Sequence, residues 1–396
     1  MIQPMTYGYP AEYSNDNFSG YFDWSTNNKG MSVLENIMST NDMAYGIPNT
    51  LTKTLIPKVS VINFTAVGSG QPYRGAVAHP NGKIYFIPCD ASPLLEFEPF
   101  SKKITTWGSV GSTSTNKLVG GVLAPNGIIY ALPSNGFTLA VIPKWDPYSK
   151  SFTPISVGGL GTNSIGCVLH PNGKIYGVPA GGDVLVFDPN TGKVSDYGIL
   201  PVNSNYYNGG CVHPNGNIYF APYQSGIDQV MELNLNSKKY TLLKNKNTLV
   251  ATNSLFSGII LAPNNLMYCV PHNADRIFEV NPYTKTTRIV GSYLTTTSAK
   301  YSGGCVGPDG CLYMMPYNNT INNILKYDWK TEQVSYLTIP GLLTAGNNKV
   351  SGAVLAQDGC IYGTPSESTS LTGQIIKIDF GLGIKKGVYC REVNKY

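Results

Sequence analysis

The chain has 396 residues, 42% of them hydrophobic and only 13% charged, with a formal net charge of +5. That apolar share is ample for a packed core and excludes disorder over most of the length. The basic excess is spread thinly, its densest point being the pair Lys385–Lys386, so the basic stripe expected of a nucleic-acid binder is absent. No run of about eighteen apolar residues is present to span a membrane.

Residues 1–57 form a first, non-repeating segment. They carry Tyr7, Tyr9, Tyr13, Tyr21, Phe22, Trp24 and Tyr45 among Asn and Ser, with little helical or strand period and a charge of −3. The start shows neither the basic residues nor the apolar run of a secretory signal. This segment is expected to be an extended arm that docks the protein onto other subunits of an assembly.

From residue 58 the chain reads as repeats. Tyr85, Tyr130, Tyr176, Tyr219, Tyr268, Tyr313 and Tyr362 are separated by 45, 46, 43, 49, 45 and 49 residues. Three residues after each stands a proline: Pro88, Pro133, Pro179, Pro222, Pro271, Pro316 and Pro365. Three before each stands Gly82, Gly127, Gly173, Gly216, Asn265, Gly310 or Gly359, preceded in every copy by Asn or Asp. Such dipeptides mark a β-hairpin, and a two-residue type I′ turn is expected at each. A further glycine (Gly75, Gly120, Gly166, Gly209, Gly258, Gly303, Gly352) lies six residues ahead of each turn, where backbones are expected to crowd at an axis. A third strand follows each proline, as in LLEFEP (94–99) and VLVFDP (184–189), then a fourth, as in KVSDYG (193–198). Four strands in about 45 residues, repeated seven times, predict an all-β, seven-bladed β-propeller of four-stranded antiparallel blades with an extended N-terminal arm. The segment 58–68, KVSVINFTAVG, resembles the outer strands and is expected to close the last blade; GIKKGVYCREV (383–393) is the rival for that slot.

The pattern Gly-x-Val-x-x-Pro-Asn-Gly-x-Ile-Tyr, followed by a strand ending Phe-Asp-Pro, resembles NHL-type and YncE-like propeller repeats over about residues 59–390. It resembles more loosely the PNGKIY-repeat proteins of phages, viruses and bacteria. The resemblance implies the fold and no particular activity. The repeat pattern lacks the Trp-Asp dipeptide of WD repeats and the double-glycine pattern of kelch repeats. Streptogramin-lyase-like and lactonase propellers have related repeats, but their catalytic residues find no match here.

No catalytic constellation is visible. His79, His170 and His213 share one repeat position and would lie on a circle, too far apart for one metal, so they read as structural. The repeat tyrosines read as packing residues with their hydroxyls satisfied between blades. Asp90, Asp183, Asp228 and Asp275 fall in loops after the second strand, where carboxylates commonly cap turns. Eight cysteines without a CxxC pair read as small buried hydrophobes, with no metal or cofactor implied. What remains is a loop face rich in Ser, Thr, Asn and Tyr. Its candidate contact residues are Tyr206, Tyr207, Tyr223, His272, Asp275, Arg276, Tyr301 and Tyr317. The expected function is a non-enzymatic interaction module, a structural component of a virion or other large assembly, contacting a receptor, a glycan or a neighbouring subunit. The alternatives are a lyase or hydrolase acting at the axial mouth, and a free lectin-like or peptide-binding scaffold.

Overall fold

The repeat unit determines the architecture. A computed structural model describes residues 55–383, except for 66–69, 112–113, 135–136, 161–162, 199–206, 225–228, 246–253, 296, 319, 342–348 and 367–371. The arm proper and the rival closing segment fall outside the described residues. Seven sheets follow one another in a ring. Blade one runs from its inner strand Tyr73–Ala78 through Ile84–Pro88 and Leu94–Glu98 to the outer strand Lys103–Trp107. Blade seven is assembled from both ends of the described chain: Val350–Leu355, Ile361–Pro365, Thr372–Asp379 and then Lys58–Thr65. Lys58 pairs with Asp379 and Thr65 with Thr372, an eight-residue antiparallel ladder that latches the ring. Blade five carries one strand that the sequence reading left in a loop: Lys244–Asn245 pairs parallel with Thr286–Thr287.

The core is seven apolar clusters, one at each seam between successive blades. Second strands such as Ile84–Pro88 and Leu312–Pro316 are buried at every residue, because both faces meet a neighbouring blade. The last seam packs Phe97 and Ile84 of blade one against Tyr362 and Ile375 of blade seven.

Two expectations about the hairpin need correcting. The turn is not type I′, because Gly82 has a φ of +81° while Asn81 is not in the positive region. The amide of Gly82 bonds the carbonyl of His79 at 3.0 Å, and His79 in turn donates to Lys83 at 2.9 Å. This is a type I turn over Pro80 and Asn81 followed by a glycine bulge. The proline decides it, since its fixed negative φ suits the first central position of a type I turn and forbids the primed form. The repeat tyrosine, too, finds its partner within its own blade rather than between blades. Asn81 Nδ2 donates to the Tyr85 hydroxyl at 2.8 Å, and Asp358 Oδ2 accepts from Tyr362 at 2.7 Å. The same bond recurs in all seven copies.

The three aligned histidines stitch blades together. His79, His170 and His213 accept a turn amide at Nδ1, which leaves Nε2 to donate to the carbonyls of Gly127, Gly216 and Asn265 in the next blade. Gln357 does the same at the closing seam, its Nε2 reaching the Pro80 carbonyl at 3.1 Å.

Candidate binding site at the axial mouth

The end of the ring opposite the hairpin turns is organised by a girdle of backbone bonds. The Leu255 amide donates to the carbonyl of Tyr223, His272 to Leu255, Lys300 to His272, Tyr317 to Lys300, Lys349 to Tyr317 and Ser366 to Lys349. Blades one and two continue it, with Cys89 bonded to Pro72, Lys117 to Cys89 and Ser134 to Lys117. The girdle fixes the residue after each repeat proline at an equivalent place in every blade: Cys89, Ser134, Ala180, Tyr223, His272, Tyr317 and Ser366. Buried lysines lock it. Lys117 Nζ donates to the carbonyls of Asp90 and Ser114, and Lys300 Nζ to those of Asn273 and Thr297. Each therefore ties one blade's inner loop to the blade before. Burial pushes the Lys300 ammonium down to about 8.

On this symmetric frame the side chains are not symmetric. Blades four to six present aromatic rings, with Tyr223 and His272 centred 5.9 Å apart and His272 and Tyr317 5.2 Å apart. Blade one presents Arg74, whose Nε lies 3.4 Å from Ser351 Oγ across 277 residues of sequence. Among the described residues Arg74 forms no ion pair. Its charge acts on both His272 and Tyr317, and Gln71 acts on Tyr317 as well. Side chains from blades one, five and six can interact in this way only across the axial opening. Asn208, Ser257 and Ser302 extend the polar rim, with Asn208 Nδ2 to Ser257 Oγ at 3.1 Å and Ser257 to Ser302 at 2.9 Å.

His272 is buried, and its Nδ1 donates to the Tyr301 carbonyl at 3.0 Å. Burial pushes it down to about 4; the bond to the Tyr301 carbonyl opposes this, while the Arg74 and Lys300 charges add to it. The imidazole is therefore neutral near pH 7. The unfolded chain binds this proton first as pH falls. Its contribution is whole above the unfolded value of about 6.5 and is lost on the way down to about 4, worth up to about 3 kcal/mol. His79 and His213 are lowered by burial in the same sense. The urea midpoint of the full chain should thus fall between pH 6.5 and 4, and His272→Asn should flatten that fall. An unchanged slope would mean that His272 titrates freely.

The sequence-derived candidates separate on this geometry. Tyr223, His272 and Tyr317 come together at the mouth. Tyr207 and Tyr301 do not reach the surface: Tyr207 is 0% exposed against Phe220, and Tyr301 is 2% exposed with its hydroxyl on Asn323 Oδ1. Both point into blade seams, because they open inner strands. Arg276 lies 5.4 Å from the Tyr293 ring at the periphery, and Asp275 acts on Lys300 rather than on His272. Tyr206 lies outside the described residues. Sequence reasoning missed Arg74, Gln71, Ser351 and Ser366. A signal was present: in the position just before Gly75 and its counterparts, Arg74 is the one charged residue among Arg74, Val119, Ile165, Asn208, Ser257, Ser302 and Ser351.

Among the described residues no three His, Cys, Asp or Glu side chains gather as a metal site, and no helix is long and apolar enough to cross a membrane. The seven cysteines described are all free.

Fold and mouth together define a seven-bladed β-propeller scaffold. Solved structures share that fold. A streptogramin B lyase matches with a TM-score of 0.65 at 15% identity, over 81% of this chain and 97% of the other. A catalytically inactive His-to-Ala variant of virginiamycin B lyase from Staphylococcus aureus, determined with quinupristin, matches with a TM-score of 0.65 at 14% identity, over 81% of this chain and 99% of that one. The extracellular domain of a hybrid two-component system from B. thetaiotaomicron matches with a TM-score of 0.58 at 14% identity, over 81% of this chain and 42% of that one. No family model matches the chain, and no curated protein does. The likeness to NHL and YncE-like repeats therefore rests on the repeat residues themselves.

Proposed function

We propose that the protein is a propeller interaction module whose working surface is the loop face, centred on the axial mouth. The observation that carries this reading is the break in symmetry there. The seven blades agree on turn, tyrosine and proline, yet the ring after the prolines carries aromatic residues only in blades four to six, and of the residues before the axial glycines only Arg74 is charged. Tyrosine and histidine offer rigid contact area at small entropic cost, and serine and asparagine supply adaptable hydrogen bonds. A place in a larger assembly such as a virion, with residues 1–57 as anchor and a receptor, glycan or neighbouring subunit on the loop face, completes the reading.

The test compares the two ends of the ring. Tyr148 and Tyr283 stand on the turn face at 50% and 65% exposure, edge-on to His79 and His213. Binding of the full chain to a glycan array and to its native assembly should weaken at least tenfold in a Tyr223→Ala/Tyr317→Ala variant, and less than twofold in Tyr148→Ala/Tyr283→Ala. The reverse pattern would move the working surface to the turn face. A second reading, a lyase or hydrolase at the same mouth, is favoured by one observation, the buried neutral His272. A general base needs geometry toward a substrate as well as the right proton state. Turnover of a candidate substrate abolished by His272→Ala would establish it.

A further inference from the structure

At the seam of blades seven and one, the mouth contains polar groups that the fold leaves unused. Thr364 and Ser366 are both 0% exposed, and neither hydroxyl has a hydrogen-bond partner; the Gln71 side-chain Oε1 is also without one. Buried polar atoms without partners are uncommon, and each calls for an explanation. Thr364 is the more telling because the same position in the other blades is apolar: Ile87, Leu132, Val178, Ala221, Val270 and Met315. Its Oγ1 sits beside Gly352, which in turn abuts Gly75, next to Arg74. The guanidinium meanwhile has one long bond to Ser351 and no carboxylate. A cation, two buried hydroxyls and an amide are thus gathered on one side of the opening, with two tyrosines and a neutral imidazole on the other.

We infer that the axial mouth binds a small aromatic carboxylate, its carboxylate on Arg74 and the neighbouring hydroxyls and its ring against Tyr223, His272 and Tyr317. This deepens the loop-face reading and rests on it. Arginine matches a carboxylate with two parallel N–H donors; an uncharged amide offers only one oxygen to that fork, and a phosphate, which can occupy it, has no ring to lie against the aromatic side chains. The aromatic side chains supply flat apolar area for a ring to lie against, worth more than the same area of aliphatic wall.

Benzoate is the probe, titrated calorimetrically into the full chain, with acetate, benzamide and inorganic phosphate as separate arms. Benzoate should bind saturably at one site, with acetate and benzamide each at least about tenfold weaker. Arg74→Gln should weaken benzoate about tenfold or more, and Arg74→Lys should recover only part, at an unchanged melting temperature. Thr364→Val should weaken it several-fold while preserving shape. Benzoate binding that ignores Arg74, or benzamide binding as tightly as benzoate, overturns the inference. Phosphate matching benzoate overturns the part assigned to the rings. The specificity series needs no variant, so a misfolded substitution leaves the test standing. Should partner binding track Tyr148 and Tyr283 while benzoate still depends on Arg74, the loop-face reading fails and this site survives.

Discussion

Replacing Gly209 by alanine should destabilise the protein by about 3–5 kcal/mol, whereas Gly120→Ala should cost about 1–2 kcal/mol. Both residues have positive φ, +88° and +87°, so both substitutions carry the strain of the left-handed region. They differ in surroundings. A Cβ on Gly209 would come within 2.5 Å of the Cα of Gly258 in the next blade, while one on Gly120 meets nothing within 4 Å. Gly75 and Gly303 meet Gly120 and Gly352 in the same way, at 2.6 Å each. Backbone against backbone cannot yield by a rotamer change, so the blades must move apart or the ring must distort. Urea unfolding of the two variants checks this, and equal losses would mean that the axial glycines serve only local conformation.

The second large effect is expected in blade six. In blades four and five, where the turn residue is Asn, the tyrosine hydroxyl also has a cross-strand glutamate to donate to: Tyr219 to Glu232 at 2.9 Å and Tyr268 to Glu279 at 3.1 Å. In blade six the turn residue is Asp309, which accepts from Tyr313 at 2.7 Å, and the cross-strand partner is Lys326, 2.7 Å from the same oxygen. Acid and amide have exchanged places, and a cation balances the acid. Asp309→Asn sets an amide donor against a hydroxyl and an ammonium, leaving both short of an acceptor. It should cost about 2–4 kcal/mol. Asp309→Asn combined with Lys326→Glu rebuilds the arrangement of blades four and five and should recover at least about 1 kcal/mol of that loss. Strict additivity of the two changes would show that the residues do not act as a unit.

Much of this fold was legible in the residues, because the repeat states it seven times. The spacing of Tyr85 and its counterparts gave blade number, hairpin positions and strand count. The likeness of 58–68 to outer strands pointed to the segment that now pairs with Thr372–Asp379. Asn-Gly alone points to a type I′ turn, and the proline before it, with its fixed negative φ, makes the turn type I with a glycine bulge. The tyrosine's partner was missed because a side chain four residues back looks local and unimportant until the turn folds it over the hydroxyl. The mouth was legible only in part. Tyr223, His272 and Tyr317 share a slot after successive prolines and could be read from one alignment of the repeats. Arg74 and Ser351 meet only because the ring closes, and 277 residues of intervening chain hide that from any local pattern.

A closed ring brings side chains of blades one, four, five, six and seven to one opening. A crystal structure of the full chain grown with benzoate examines this most directly. It should show a ring of seven blades with density for the carboxylate on Arg74 and for the aromatic ring beside Tyr317. Density beside Tyr148 or Tyr283 on the turn face, or an inner ring in which Arg74 and Ser351 stand apart, would contradict it.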